Sequence, residues 1–216
     1  MTAGARVKAK ICGLSTPETL DAAVQAGASW VGFVTFPRSP RHIESLDLLK
    51  SLGMRVPKSV GRVGLFVDPD DVLIDARVGT GVIDVLQLHG SETPERVAAL
   101  KARTGKQIMK VIKVARPEDI ERGVAAYAAI VDLLMFDAAD GTLPGGNAKS
   151  FDWTFLSGAK VPVPWMLAGG LTPDNVAEAV RVTGAPIVDV SSGVESSRGV
   201  KSIELIRAFL DRVKAL

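Results

Sequence analysis

The chain has 216 residues, 47% of them hydrophobic and 23% charged, with a net charge of +2, and this length buries a core without a disulfide or metal staple. A single cysteine, Cys12, and two histidines, His42 and His89, exclude a disulfide framework and a multi-cysteine metal centre, so no metal site is expected. No apolar run approaches the ~18–20 residues of a membrane span, the first ten residues do not read as a signal peptide, and the basic residues are too scattered for a nucleic-acid surface. The expectation is one domain over residues 1–216, cytoplasmic, with neither nucleic-acid nor membrane partners.

Short apolar runs alternate with helical spacing along the whole chain. Val7–Gly13 comes first, followed by Thr16-Pro17-Glu18 and a helical pattern that stops at Gly27. Trp30–Phe36 leads to a helix ending before Gly53, and Ser59–Val67 and Val85–Gly90 follow. Thr93-Pro94-Glu95 opens a helix that stops at Gly105; after Gln107–Val114, Arg116-Pro117-Glu118 opens another. Leu133–Ala138 runs into twelve positions, 139–150, with no periodicity, long enough to predict a binding loop or lid. Pro164–Leu171, Thr172-Pro173-Asp174, a helix stopping at Gly184, and Ile187–Gly193 complete the series.

The repeated start signal has a physical cause. A Thr side chain caps the helix, Pro loses nothing where its N–H would be unpaired, and an acid complements the helix dipole. Runs apolar on both faces are the pattern of buried parallel strands. Eight strand–helix units predict a closed (β/α)8 TIM barrel, an α/β fold with an eight-stranded parallel sheet. The rival, an open doubly wound sheet, has fewer strands and a dominant phosphate fingerprint, and no G-x-G-x-x-G follows the first run here.

In such a barrel the chemistry lies at the C-terminal strand ends. Those positions hold Cys12, Arg41, Asp68, His89, Asp137, Gly169-Gly170, Asp189 and Ser191-Ser192-Gly193. Cys12 follows Lys10 on the same strand face, and a neighbouring ammonium favours the thiolate, the form that can accept a proton. Asp137 ends an apolar strand and is placed to act as a general acid. The small residues closing the seventh and eighth runs let backbone N–H groups approach an anion, which predicts a phosphorylated small-molecule ligand. Arg41 suits a carboxylate, or decorates the surface. His89 is either a structural histidine or a substrate contact, and Asp189 and Glu195 are ambiguous by themselves.

The same residues resemble one family across nearly the whole chain. Lys10-Ile11-Cys12-Gly13-Leu14, Gly32-Phe33 through Ser39-Pro40-Arg41, Val63-Gly64-Leu65-Phe66-Val67 and Gln87-Leu88-His89-Gly90 occur in order. Phe151-Asp152-Trp153, Leu167-Ala168-Gly169-Gly170-Leu171, Asp189-Val190-Ser191-Ser192-Gly193-Val194-Glu195 and Gly199-Val200-Lys201 follow. Together they resemble the phosphoribosylanthranilate isomerases of tryptophan biosynthesis.

The resemblance implies a cofactor-free Amadori rearrangement of N-(5'-phosphoribosyl)anthranilate to 1-(2-carboxyphenylamino)-1-deoxyribulose 5-phosphate. It implies Cys12 as general base and Asp137 as general acid, with Arg41 facing the anthranilate carboxylate. Gly169, Gly170, Ser191, Ser192 and Gly193 would line the phosphate, with Asp189 as a polar wall; beside them, His89 is taken as a substrate contact. A monomer or homodimer is expected. One departure stands in the long loop, where Asn147-Ala148 replaces the family's hydroxyl residue and glycine; alanine narrows the backbone's choice there. It motivates the alternative of a catalytically silent phosphosugar-binding barrel.

Overall fold

Each apolar run folds as a strand because both of its faces are covered, one by helices and the other by the barrel interior. The computed structural model describes residues 6–139 and 151–216. Strands β1 (Lys8–Cys12), β2 (Trp30–Val34), β3 (Gly61–Phe66), β4 (Val85–Leu88), β5 (Gln107–Val114), β6 (Leu133–Ala138), β7 (Trp165–Leu167) and β8 (Ile187–Val190) close into a barrel in chain order. Every neighbouring pair is parallel, and β8 returns to β1 with Lys10 opposite Asp189. The predicted barrel is the fold.

Strand alternation fills the interior in layers. Val63, Val85, Met109, Val111, Leu133, Met135, Met166 and Ile187 pack together with Trp30. Cys12, Val34 and Leu65 form a smaller apolar cluster at the C-terminal end. The outward-facing residues of the same strands bury against helices α1 (Pro17–Gln25), α2 (Leu46–Arg55), α3 (Asp71–Val78), α4 (Pro94–Thr104), α5 (Pro117–Tyr127), α6 (Val176–Thr183) and α7 (Ile203–Lys214). In α7 the buried residues Ile206, Phe209, Leu210 and Val213 recur at helical spacing, each side chain worth roughly 1.5–3 kcal/mol of burial. That face packs on α1 and β1, so the last helix holds down the first strand.

Thr16 and Thr93 cap α1 and α4 through their side chains, with Pro next in line, as the start signal predicts. Arg116 precedes α5 without capping by its own side chain; the Asp119 carboxylate accepts from the Arg116 N–H at 3.0 Å. Thr172-Pro173-Asp174 forms a turn, and α6 begins at Val176. The cause is Asn175, whose Oδ1 accepts from the Thr172 N–H at 2.7 Å while its Nδ2 donates to the Gly170 carbonyl at 2.9 Å. Gly105 and Gly184 stop their helices in the left-handed conformation, but Gly53 is no stop. It lies inside α2, where a Cβ would collide with Val82. Its smallness lets α2 approach the barrel.

Between β6 and β7 the described residues hold a single 3-10 turn, Trp153–Leu156, in place of a full helix. The binding loop expected over 139–150, with the Asn147-Ala148 departure, lies outside the described residues apart from Ala139. After β8 comes an unforeseen antiparallel hairpin of β9 (Glu195–Ser197) and β10 (Val200–Lys201), turning at Gly199. No helix among the described residues is long and apolar enough to cross a membrane.

Candidate active site

Alternation along β1 turns Lys10 and Cys12 toward the barrel axis, and the β1–β8 register sets Asp189 beside Lys10. The Lys10 ammonium, fully buried, donates to Asp189 Oδ1 at 2.8 Å. Burial opposes its charge, but Asp189 and Cys12 together hold the ammonium above its ordinary range. Cys12 is 3% exposed. A Cβ on the adjacent Gly32 would lie 3.0 Å from Cys12 Sγ and 3.2 Å from Lys10 Cε, so glycine leaves the space in which the two side chains meet.

Burial, the largest influence, pushes the Cys12 thiol up; Lys10 and Lys201 draw it down, Asp189 pushes it further up, and the net shift is upward. The ammonium acts in the expected direction, but desolvation of the sulfur outweighs it. Asp189, expected as a pocket wall, gives one carboxylate oxygen to Lys10.

Asp137, next to last in β6, faces inward and is 6% exposed. Its Oδ1 accepts from the Ala138 N–H at 2.9 Å, and its Oδ2 lies 3.1 Å from His89 Nε2. That second approach is close but not aligned as a hydrogen bond, and the buried Nε2 has no hydrogen-bond partner among the described residues. Gln87, one layer deeper on β4, stands 3.5 Å from the other ring nitrogen. His89 thus faces the acid across the strand ends.

Gly169 and Gly170 both have positive φ, +89° and +67°, where glycine is favoured. A Cβ on Gly169 would sit 2.8 Å from the Ala138 nitrogen and 2.9 Å from Asp137 Oδ1, so this glycine also leaves room for the acid. A Cβ on Gly193 would fall on the Leu171 carbonyl oxygen, which locks the loops after β7 and β8 together. Ser191 donates to the Cys12 carbonyl at 3.2 Å, and Ser192 opens a 3-10 turn to Val194. The five residues expected around a phosphate therefore lie in two loops in mutual contact.

Arg41 packs over Gly13, where a Cβ would lie 2.6 Å from Arg41 Cδ. Its Nε and Nη2 donate to the two oxygens of Glu195 at 2.6 and 2.8 Å. Lys201 donates to the same carboxylate at 2.8 Å and to the Ser191 carbonyl at 2.7 Å. Burial opposes ionisation of Glu195, but Arg41 and Lys201 overcome it and hold the carboxyl down at about 2. Lys201 went unrecognised in the sequence and Glu195 stayed ambiguous. Both stand in the stretch that carries the resemblance, but nothing in their spacing brings them to Arg41.

Asp68 is not brought to this group. Its φ is +44°, its carboxylate accepts from the Ser91 N–H at 2.6 Å, and its own N–H donates to Glu92 at 2.9 Å. Glu92 also accepts from the Gly90 N–H at 3.1 Å and from Lys110 at 2.9 Å. Lys110 donates further to the Gly90 and Leu88 carbonyls at 2.9 and 3.3 Å. Among the described residues no group of three or more His, Cys, Asp or Glu side chains could hold a metal ion.

The chain that carries this arrangement is similar over nearly its whole length to known proteins. Residues 9–212 match the family model described as N-(5'-phosphoribosyl)anthranilate (PRA) isomerase. The chain is 52% identical over 212 residues to the N-(5'-phosphoribosyl)anthranilate isomerase of Paracoccus denitrificans, covering 97% of this chain and 98% of that one. It is 53% identical over 213 residues to that of Parvibaculum lavamentivorans, covering 96% and 98%. The crystal structure of phosphoribosyl anthranilate isomerase from Thermotoga maritima superposes with a TM-score of 0.87 at 32% identity, covering 97% of this chain and 100% of that one. A structure of a phosphoribosyl anthranilate isomerase in complex with reduced 1-(o-carboxyphenylamino)-1-deoxyribulose 5-phosphate gives 0.84 at 31% identity, with the same coverage. Fold and sequence agree, and the chain belongs to the N-(5'-phosphoribosyl)anthranilate isomerase family.

Proposed function

We propose that the protein converts N-(5'-phosphoribosyl)anthranilate to 1-(2-carboxyphenylamino)-1-deoxyribulose 5-phosphate, an isomerisation in tryptophan biosynthesis. Asp137 gives a proton to the furanose ring oxygen. The anilino nitrogen's lone pair then expels that oxygen from C1, leaving an open-chain iminium. Its positive charge acidifies the C2 proton, which the Cys12 thiolate removes, and the resulting enolamine tautomerises to the C2 ketone. The atoms balance with no cofactor, because the product is an isomer of the substrate.

The remaining residues take the ends of the molecule. Backbone groups of Gly169, Gly170, Ser191, Ser192 and Gly193 suit the phosphate, and Arg41 suits the aryl carboxylate. The geometry gives Asp189 the part of counter-charge to Lys10 and sets His89 against the acid. The observation that carries the reading is the placement of the two proton-transfer groups. Cys12 on β1 and Asp137 on β6 both face the barrel axis at its C-terminal end, and both are more than nine-tenths buried. A buried thiol and a buried acid flanking one mouth match a reaction that needs a base and an acid on one sugar.

The test is a turnover assay with freshly generated phosphoribosylanthranilate, followed by loss of its fluorescence. Conversion that disappears in both Cys12→Ser and Asp137→Asn supports the reading. A wild-type protein that binds the substrate without converting it overturns it.

A further inference from the structure

Arg41, Glu195 and Lys201 form a buried cluster with an odd charge sum. Their side chains are 6%, 4% and 2% exposed, and two cations share one carboxylate. The surplus positive charge lies beside the catalytic mouth, since Lys201 also bonds Ser191, whose hydroxyl bonds the Cys12 carbonyl. A buried cluster with unbalanced charge is costly, and an anionic ligand would complete it.

The guanidinium's planar fork says how. Arginine has five N–H groups, and its two bidentate edges are the Nε/Nη2 side and the Nη1/Nη2 end. Glu195 occupies the first of these, leaving the end-on edge for a second carboxylate. Glu195 is fixed in turn by Lys201 at 2.8 Å and by the Gly199 N–H at 2.9 Å, both from the β9–β10 hairpin. Gly13, which a Cβ could not occupy without striking Arg41, supports the stem of the side chain. An arginine gripped on one edge loses little further freedom on meeting a ligand, and that preorganisation raises affinity.

We propose that Glu195 is a specificity-determining positioning residue: held by the β9–β10 hairpin, it aims the free edge of Arg41 at the aryl carboxylate and thereby selects an ortho-carboxylated anilino sugar. This deepens the proposed function and rests on Arg41 meeting that carboxylate. Glutamine at position 195 keeps one acceptor but turns a donor toward the other N–H, so the grip becomes one-sided and the Arg41 plane is free to rotate.

The experiment measures two ligands by calorimetric titration. One is reduced 1-(2-carboxyphenylamino)-1-deoxyribulose 5-phosphate, and the other is its counterpart built from aniline, lacking only the carboxylate. The wild-type protein should prefer the carboxylated ligand, and Arg41→Lys should lose most of that preference. Glu195→Gln should cut the preference by about ten-fold, the scale of one well-placed charge-assisted bond, with the carboxylate-free ligand bound nearly as before. If Glu195→Gln weakens both ligands equally, or keeps the preference, Glu195 is only structural and the inference fails while the role of Arg41 stands. If the wild type shows no preference, or Arg41→Lys keeps it, the carboxylate reading itself fails. Should Glu195→Gln not fold by circular dichroism, Glu195→Asp, which keeps the charge but withdraws it by one methylene, is judged by the same ratio.

Discussion

Two buried ionic clusters stand on different sides of the barrel, one between β5 and the helix layer and one at the mouth. On the β3–β5 side Lys110 places its hydrogen bonds on Glu92 and two backbone carbonyls, and Glu92 answers with bonds from Asp68 and Gly90. One cation meets one anion, and Tyr127 adds a hydroxyl bond to the Glu92 carbonyl at 2.9 Å. On the side of β8, β1 and β2, Arg41 and Lys201 share Glu195, and the neighbouring Lys10–Asp189 pair lies along the same strand face as Cys12. The first cluster is saturated and neutral, so it fastens loops. The second keeps an unused guanidinium edge and a surplus charge, so it can act on something outside itself. Burial and residue identity do not separate structural from functional ion pairs; the sum of charges and the unused donors do.

The sharpest way to break this contrast is to remove the proposed proton-transfer groups. Cys12→Ser and Asp137→Asn should each lower turnover by about 10²–10⁴-fold, while leaving the melting temperature within a few degrees. A Cys12→Ser variant retaining more than about a tenth of the rate would make Cys12 a packing residue.

Next in size is the saturated cluster. Lys110→Met strands the Glu92 carboxylate in the interior and should cost about 3–5 kcal/mol of stability, with substrate affinity of the folded protein within a few-fold. Denaturant unfolding alongside steady-state kinetics decides it. Lost activity with unchanged stability would put Lys110 in the site and dissolve the comparison.

Gly169→Ala probes the place where loop and acid touch. A left-handed alanine costs roughly 1–2 kcal/mol, and its methyl group would press on Asp137, so kcat should fall more than substrate affinity. A variant impaired only in stability would show that Gly169 serves the turn alone.

The smallest effect is a titration. Burial holds the Cys12 thiol above its ordinary range, so kcat/KM should still be climbing with pH past about 8.5, where a free thiol is half ionised. Lys201 draws that thiol down, and Lys201→Met should therefore move the alkaline limb to higher pH. A limb that stays put would separate the cluster from Cys12.

How far these features could be read beforehand varied with the distance over which each is decided. Thr16-Pro17 and Thr93-Pro94 were legible because a cap and a first-turn proline act within three residues. The strands were legible because two covered faces leave a continuous apolar run, as in Leu133–Phe136. Gly53 was not, since a stopping glycine and a packing glycine look alike near the end of a helical pattern. What separates them is Val82, on a different part of the chain. Thr172 misled for a similar reason, because Asn175 reaches back to the Thr172 N–H and the Gly170 carbonyl and holds the stretch as a turn. Cys12 and Asp137 could be located as strand-end residues, but the state of the thiol could not, since desolvation is a property of the packed barrel. The β9–β10 hairpin, with strands of three and two residues, is too short to leave a periodic trace, and Glu195 and Lys201 were obscured with it.

Lys10 and Asp189 are 179 positions apart and bonded across the seam where the barrel closes. A chain leaving the ribosome therefore carries its thiol from the outset but gains the electrostatic setting of that thiol only when nearly complete. Contacts of such long sequence separation are made slowly compared with local helices and neighbouring strands. Secondary structure and much of the hydrophobic core can assemble while the seam is still open, and such a barrel has its cysteine but not the Lys10–Asp189 pair beside it. If the proposed roles hold, recovery of activity during refolding should report the joining of first strand to last and should lag the spectroscopic signs of helix and sheet.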